Sequence, residues 1–328
     1  MRWRSKVAPF LDHFGGLDLA AALTKPLGRR SLAILMYHRV AVPGSQPLLS
    51  DRVISATPDE FEEQMAWLVR FAHPIGFRDL LRLEKDGEPI PRRAVIVTFD
   101  DGYLDNYLCA FSVLRRYRIP ATIFLVTGLV GTREPFWWDY VHAALSKEGK
   151  SDTLITGELE KLKCLSDEER RKTMAGIAER AGLSLSAFPR TIINWDEARA
   201  MQEDDIDFGG HTVTHPILSR LPPAALEEEI RGCRAALEKE LQKEPIAFAY
   251  PVGRTFALAD AAFSIVEKTG FRYAVTTEYG RNVWPLENRY RLRRLDVGLA
   301  DSLARFKAKL LVPAAFRPKA GTGYSEAM

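Results

Sequence analysis

The feature that most constrains this chain is a rhythm. Seven short apolar runs, at residues 32–37, 94–99, 121–126, 206–209, 246–250, 273–276 and 291–297, read as strands. Longer stretches with helical signals lie between them. Thr57 followed by Glu60 is a capping pattern, and Phe61, Met65 and Leu68 follow at helical spacing, which predicts a helix over 57–71. Residues 105–117 and 223–241 read the same way, with Pro223 in the first turn of the second. A further helix over 260–269 closes at Gly270, a C-cap signal. Strand and helix in alternation predict an α/β chain built from βα units on a parallel sheet. About seven such units predict a barrel or strongly twisted sheet of roughly 250 residues. Residues 132–190 break the rhythm and are expected to form an insertion over the barrel. That leaves an N-terminal arm over 1–30, the barrel over 31–300 and a basic tail over 301–328.

Composition narrows the function classes. With 46% hydrophobic and 27% charged residues the chain is neither disordered, collagenous nor a coiled coil. Its 46 basic and 43 acidic side chains give +3, too weak an excess to indicate a nucleic-acid partner. Cys109, Cys164 and Cys233 are far apart, so neither a disulfide framework nor a Cys-based zinc site is expected. No apolar run approaches the ~18 residues of a membrane span. The longest charge-free stretch after Asp18 covers only 19–24, shorter than a signal-peptide core, and a cytoplasmic location is expected. Arg305, Lys307, Lys309, Arg317 and Lys319 interleave with Phe306, Leu310, Leu311 and Phe316. A solvated helix capping the domain is the simpler reading of that tail, and peripheral contact with an anionic membrane the other.

Four polar clusters sit at the C-terminal ends of apolar runs. The first is Asp100-Asp101-Gly102, where a glycine turn can bring two adjacent carboxylates towards one site. A metal would relieve their repulsion, while a helix cap is the ordinary alternative. The second is His211 and His215, four apart after two glycines and before Pro216. Two imidazoles and a carboxylate form a standard divalent-metal set, although a histidine pair in a polar loop is common. Tyr250-Pro251-Val252-Gly253 is the third, a turn able to aim a backbone N–H at an oxyanion. His38, after the first run, is the fourth. In parallel α/β folds those strand ends gather at one rim, where active sites form.

Together these residues resemble the polysaccharide deacetylase family, also called the NodB-homology domain or carbohydrate esterase family 4. The TFDDG run at 98–102 and the HTxTH run at 211–215 are similar to its first two motifs. The resemblance implies a distorted (β/α)7-type barrel and removal of N-acetyl groups from a sugar. It makes Asp100 the catalytic base and Asp101, His211 and His215 the ligands of a divalent metal, with zinc the default and cobalt or nickel also suitable. Val252 would supply the oxyanion N–H. Two departures from the family pattern stand out, Ala249 where an arginine is frequent and Val252 where a tyrosine is. Arg294, from a neighbouring strand, is the candidate replacement partner for the base. No histidine follows His215, so the catalytic acid falls to His38, as in permuted relatives acting on poly-N-acetylglucosamine. Tyr103, Tyr250, Pro251, Trp137 and Trp138 are the expected substrate contacts. Two other readings are a hydrolase of different amides on the same fold and a dead carbohydrate-binding protein using Trp137, Trp138, Trp195 and Trp284. Oligomeric state is left open.

Overall fold

The computed structural model describes residues 30–316. Among them, seven parallel strands close into a barrel. The first, β1 (Ser31–Tyr37), is followed by a small parallel pair, β2 (Arg39–Val40) and β3 (Ile54–Ala56), and by helix α1 (Pro58–Phe71). The short strand β4 (His73–Pro74), helix α2 (Phe77–Lys85), β5 (Ala94–Phe99), helix α3 (Phe111–Tyr117) and β6 (Ala121–Leu125) come next. Beyond the inserted segment, α7 (Trp195–Gln202) leads into β7 (Ile206–Gly210). Then come α8 (Pro223–Leu241), β8 (Ala247–Ala249), α9 (Asp260–Thr269), β9 (Tyr273–Tyr279), β10 (Asn282–Val283), β11 (Leu292–Asp296) and α10 (Leu303–Leu311). Around the barrel the order is β1, β5, β6, β7, β8, β9, β11 and back to β1. Closure is made by β1 and β5, in register from Ala33 opposite Val95 to Tyr37 opposite Phe99. These are the seven runs read from the sequence.

Alternation along each strand fills both sides of the wall. Leu32 and Ile34 of β1 point into the barrel with Ile96, Phe124, Ala247, Ala249, Val275 and Leu292. Ala33, Leu35 and Tyr37 face the opposite way and pack with Phe61, Met65 and Leu68 of α1. Every residue of β5 and β6 is buried, because a parallel strand is covered on both faces. Gly209 is demanded by close packing: a Cβ there would lie 2.6 Å from the Ala247 carbonyl oxygen and from the Phe124 ring. The capping box of Thr57 and Glu60 is formed, and Gly270 ends α9 at φ +103°.

Three elements differ from the sequence reading. The helix expected over 105–117 begins as one wide π turn, Asn106–Ala110, before α3. That turn accompanies contacts of Asp105 and Asn106 with residues 38–40, a common reason for a π bulge beside a site. Inside the insertion are three helices, α4 (Trp137–Lys147), α5 (Asp152–Lys163) and α6 (Asp167–Ala181), packed on a core of their own that includes Val141, Leu145, Ile155 and Leu162. Finally, α10 caps the barrel but is not simply solvated. Phe306 and Leu310 enter the main core, and Lys307 and Lys309 are buried. Lys309 contacts Asp301 and Asp296, and Arg305 pairs with Asp301 at 2.7 Å. The apolar side of this helix is therefore spent on the core, and the described part offers no free basic amphipathic face. The arm over 1–29 and residues 317–328, with Arg317 and Lys319, lie outside the described residues. Among the described residues no helix is long and apolar enough to cross a membrane.

Candidate active site

The site is assembled where β1, β5, β7, β8 and β11 end. After Phe99 the backbone of Asp100 still donates to the Tyr37 carbonyl at 2.9 Å, as if β5 continued. Asp101 and Gly102 then take φ +74° and +76°. Two successive left-handed residues break the strand alternation, and so the carboxylates need not point to opposite faces. Glycine adopts this conformation readily and aspartate tolerates it. A Cβ at Gly102 would also sit 2.5 Å from a Leu125 methyl. Neither carboxylate caps the following helix.

His211 leaves β7 with its N–H on the Leu125 carbonyl, 3.0 Å away. Residues 211–215 form an irregular loop in which Thr212 and His215 have φ +68° and +57°. The Thr212 hydroxyl accepts from the His215 N–H at 3.0 Å. From α8, the Glu229 carboxylate accepts from the N–H groups of Val213 and Thr214 at 2.8 and 2.9 Å and from the Thr214 hydroxyl at 2.6 Å. That brace holds the two imidazoles 4.9 Å apart between ring centres. Both Nε2 atoms face Asp101, at 3.5 Å from His211 and 3.6 Å from His215 to the same Oδ1.

These three side chains make a possible metal centre. One donor atom from each lies within 4.8 Å of the other two, and all three residues are buried. Asp101 Oδ1 is buried without a hydrogen-bond partner, which is costly unless something positive meets it. His211 Nδ1 is 2.7 Å from the Ala249 carbonyl, which can only accept. Nδ1 therefore carries a proton, which leaves Nε2, facing inward, as the ring atom that would ligate a cation. Burial favours neutral His215, whose pKa falls to about 3, with repulsion from His211 adding to the effect. Burial acts the same way on His211, but Asp101 and Asp100 outweigh it and its pKa is raised. Oxygen and imidazole donors, an orphaned carboxylate oxygen and a fixed tautomer together fit a divalent cation.

Asp100 is held differently. Arg294 Nη1 and Nη2 donate to its two oxygens, both at 2.7 Å. The guanidinium also donates from Nε to the Thr276 carbonyl at 2.9 Å and from Nη1 to the Thr98 hydroxyl at 3.3 Å. Burial would push the carboxyl pKa up, but Arg294 overrides it and holds Asp100 well below the usual carboxylate range. The arginine absent at position 249 is thus matched by one arriving from β11.

The remaining expected residues divide. His38 is half-buried, with its N–H on the Ser55 hydroxyl and its carbonyl accepting from the Asn106 amide. It lies near enough for its charge to act on both Asp100 and Asp101. Val252 has φ +61°, and Thr277 clamps its turn: the hydroxyl donates to the Val252 carbonyl at 2.9 Å and the N–H to the Gly253 carbonyl at 3.0 Å. Trp138 packs edge-on against His215 with centroids 4.7 Å apart. Trp137 instead faces the insertion's own core, beneath the Arg170 guanidinium. Tyr103 and Tyr250 are fully buried, so neither is a surface contact for substrate. The Tyr103 hydroxyl accepts from Trp138 Nε1 at 2.9 Å and donates to Asp139 at 2.8 Å. Tyr250 packs with Phe248 and its hydroxyl donates to the Tyr290 carbonyl. Pro251 is buried as well. Trp195 packs on the main core, and Trp284 is joined by its N–H to Arg30, beside the first residue of β1 and away from the rim.

Several contributors were not singled out from the sequence. Asp139 is buried between the Ser50 N–H and the Tyr103 hydroxyl, and burial raises its pKa to about 7. Arg39 and Asp105 form a buried pair at 2.8 Å behind His38. Glu229 reaches the histidine loop from α8, sixteen residues after Val213. A charged residue embedded in an apolar segment, as Asp139 is after Phe136-Trp137-Trp138, was the one signal available.

Residues 87–274 match the family model described as polysaccharide deacetylase, more than half of the chain. The chain belongs to the polysaccharide deacetylase family. It is a carbohydrate N-deacetylase, a hydrolase of the amide bond. The Bacillus subtilis protein YxkH, named provisionally as a polysaccharide deacetylase, is 26% identical over 269 residues, 80% of this chain and 70% of its own. A Staphylococcus epidermidis poly-β-1,6-N-acetyl-D-glucosamine N-deacetylase is 28% identical over 218 residues, 55% of this chain and 72% of its own. The structure of the Streptococcus pyogenes deacetylase PplD in complex with acetate superimposes with a TM-score of 0.60 at 21% identity, over 85% of this chain and 97% of PplD. That last likeness speaks for the fold.

Proposed function

We propose that the chain is a metal-dependent deacetylase of N-acetylated sugars, with zinc as the preferred cation. The observation that carries this reading is the convergence of Asp101, His211 and His215 beside an Asp100 fixed by Arg294. Asp101, His211 and His215 would hold the cation, whose chemistry when bound would be to acidify a water and polarise a carbonyl. The protein's own groups do the rest. Asp100 accepts the proton of the attacking water. Its pairing with Arg294 keeps it ionised at every working pH and orients its free lone pairs. The Val252 N–H donates to the developing oxyanion, a contribution of about 3–4 kcal/mol at comparable sites. His38 delivers a proton to the departing amine, for which an imidazole is suited near neutral pH. Trp138 walls the site against His215 and limits the space open to the acetyl group.

The S. epidermidis relative's name supports N-acetylglucosamine oligomers as the first substrates to test. Acetate release from them should require a metal, and should fall by at least two orders of magnitude in Asp100→Asn and His38→Gln. Full activity in Asp100→Asn would overturn the base assignment. Equal turnover of acetylated sugars and unrelated amides would overturn the substrate class.

A further inference from the structure

A cavity lies between the loop joining β2 to β3 and the first two helices of the insertion. It holds ≈ 210 Å³ and opens to solvent. One water needs roughly 10–15 Å³, so there is room for a cluster of waters or for a pyranose ring. Its walls are tied together. The Ser50 N–H donates to Asp139 of α4 at 3.0 Å, and Arg52 donates to the Thr156 hydroxyl of α5. Leu49 and Ile155, both buried, give the cavity apolar surface. Gln46, His142, Ser146 and Asp152 give it an amide, an imidazole, a hydroxyl and a carboxylate. His142 Nδ1 is buried without a hydrogen-bond partner, and Asp51 and Asp152 are near enough for their charge to act on the ring. A buried nitrogen of this kind is costly unless a bound molecule meets it.

Aliphatic carbon beside groups that donate and accept matches a sugar ring, whose C–H faces are apolar and whose hydroxyls do both. A metal ion is the poorer occupant. Among the described residues, the one group of three converging metal donors is Asp101, His211 and His215. The cavity also adjoins the catalytic cluster. Arg52 lines both it and the small recess of ≈ 40 Å³ beside His38. Asp139 is bonded to the Tyr103 hydroxyl, which in turn holds Trp138 beside His215.

We propose that this cavity binds an uncharged sugar unit of the same glycan, away from the unit being deacetylated, so that the enzyme prefers oligomers long enough to reach it. The inference rests on the deacetylase reading and adds a property of its substrate, chain length. About two hydrogen bonds to neutral hydroxyls at a half-open site predict a gain of about tenfold in kcat/KM.

The test measures acetate release from N-acetylglucosamine oligomers, dimer to hexamer. In the wild type kcat/KM should rise by about tenfold at one length and stay level beyond it. The hexamer-to-dimer ratio should fall towards one in Ser146→Trp, whose indole fills the cavity, and in Gln46→Ala/Asp152→Ala, which removes two of its polar groups. Ser146 and Asp152 are exposed and Gln46 is half-buried, so the barrel core is untouched in both variants. The loss should fall on KM for long oligomers, since no group at the reacting bond is altered. Equal kcat/KM from dimer to hexamer in the wild type, or a length preference that survives in both variants, overturns this inference alone. Absence of acetate release from every oligomer overturns the deacetylase reading beneath it.

Discussion

Replacing Arg294 by methionine tests the site's electrostatics at one position. Four hydrogen bonds leave with the guanidinium: two to Asp100 at 2.7 Å, one to the Thr276 carbonyl and one to the Thr98 hydroxyl. What stays behind is a carboxylate only 3% exposed. Breaking a buried pair from one side costs about 3–5 kcal/mol, because the surviving charge is uncompensated. At ~2–4 °C per kcal/mol for a domain of this size, the melting temperature should fall by roughly 10 °C. The pH dependence should change sign. In the wild type Asp100 is depressed, so its stabilising contribution is present above the unfolded carboxylate pKa near ~4 and is lost as pH falls further. In Arg294→Met burial outweighs the smaller opposing effects of His211 and His38, the carboxyl pKa rises, and the associated stability is lost as pH increases instead. Denaturant melts across pH, paired with acetate-release profiles, measure both effects. Asp100→Asn/Arg294→Met should regain at least half of the lost stability, and Arg294→Lys should restore charge without the two-pronged contact. Were Arg294→Met to melt within about 1 °C of the wild type with an unchanged acid limb, the paired-base account would be wrong.

Three further outcomes follow from single contacts. Glu229→Gln should weaken metal binding by about 10–100-fold while the barrel stays folded, since the lost contacts brace the loop between the two histidines; direct metal titration reads this. Asp139 is raised to about 7, so its stabilising contribution is complete below pH ~4 and fades as pH climbs to 7; Asp139→Asn should remove that slope, up to about 4 kcal/mol, from a urea-stability profile. Gly209→Ala should cost about 1–3 kcal/mol of stability in the same assay, because its methyl meets the Ala247 carbonyl oxygen and the Phe124 ring.

The barrel was legible because strands covered on both faces are largely apolar, and most of the seven runs stood out from their polar surroundings; β11, Leu-Arg-Arg-Leu-Asp with Arg293 exposed, stood out least. The rim clusters were legible because glycines and prolines mark where those runs turn. Side-chain orientation was not. Tyr103 and Tyr250 stand next to site residues and carry polar tips, which suggested exposure, yet each turns inward and finds a partner for its hydroxyl in Asp139 and the Tyr290 carbonyl. Trp137 and Trp138 are neighbours in sequence, but on a helix they diverge, one towards the insertion's core and one towards His215. The clamps formed by Glu229 on residues 213–214 and by Arg39 on Asp105 join distant positions, and no local pattern announces such a partner. Arg294 could be suspected only because the base lacked its usual arginine; its forked contact depends on the closure of β11 onto β1.

Zinc titration of metal-stripped protein, followed by calorimetry, examines the core of this account without relying on any substrate. One equivalent should bind tightly to the wild type and to Asp100→Asn, and binding should vanish in Asp101→Asn and in His211→Ala/His215→Ala. Retention of zinc by the Asp101 or double-histidine variant, or failure of the wild type to bind it, would contradict the three-residue centre.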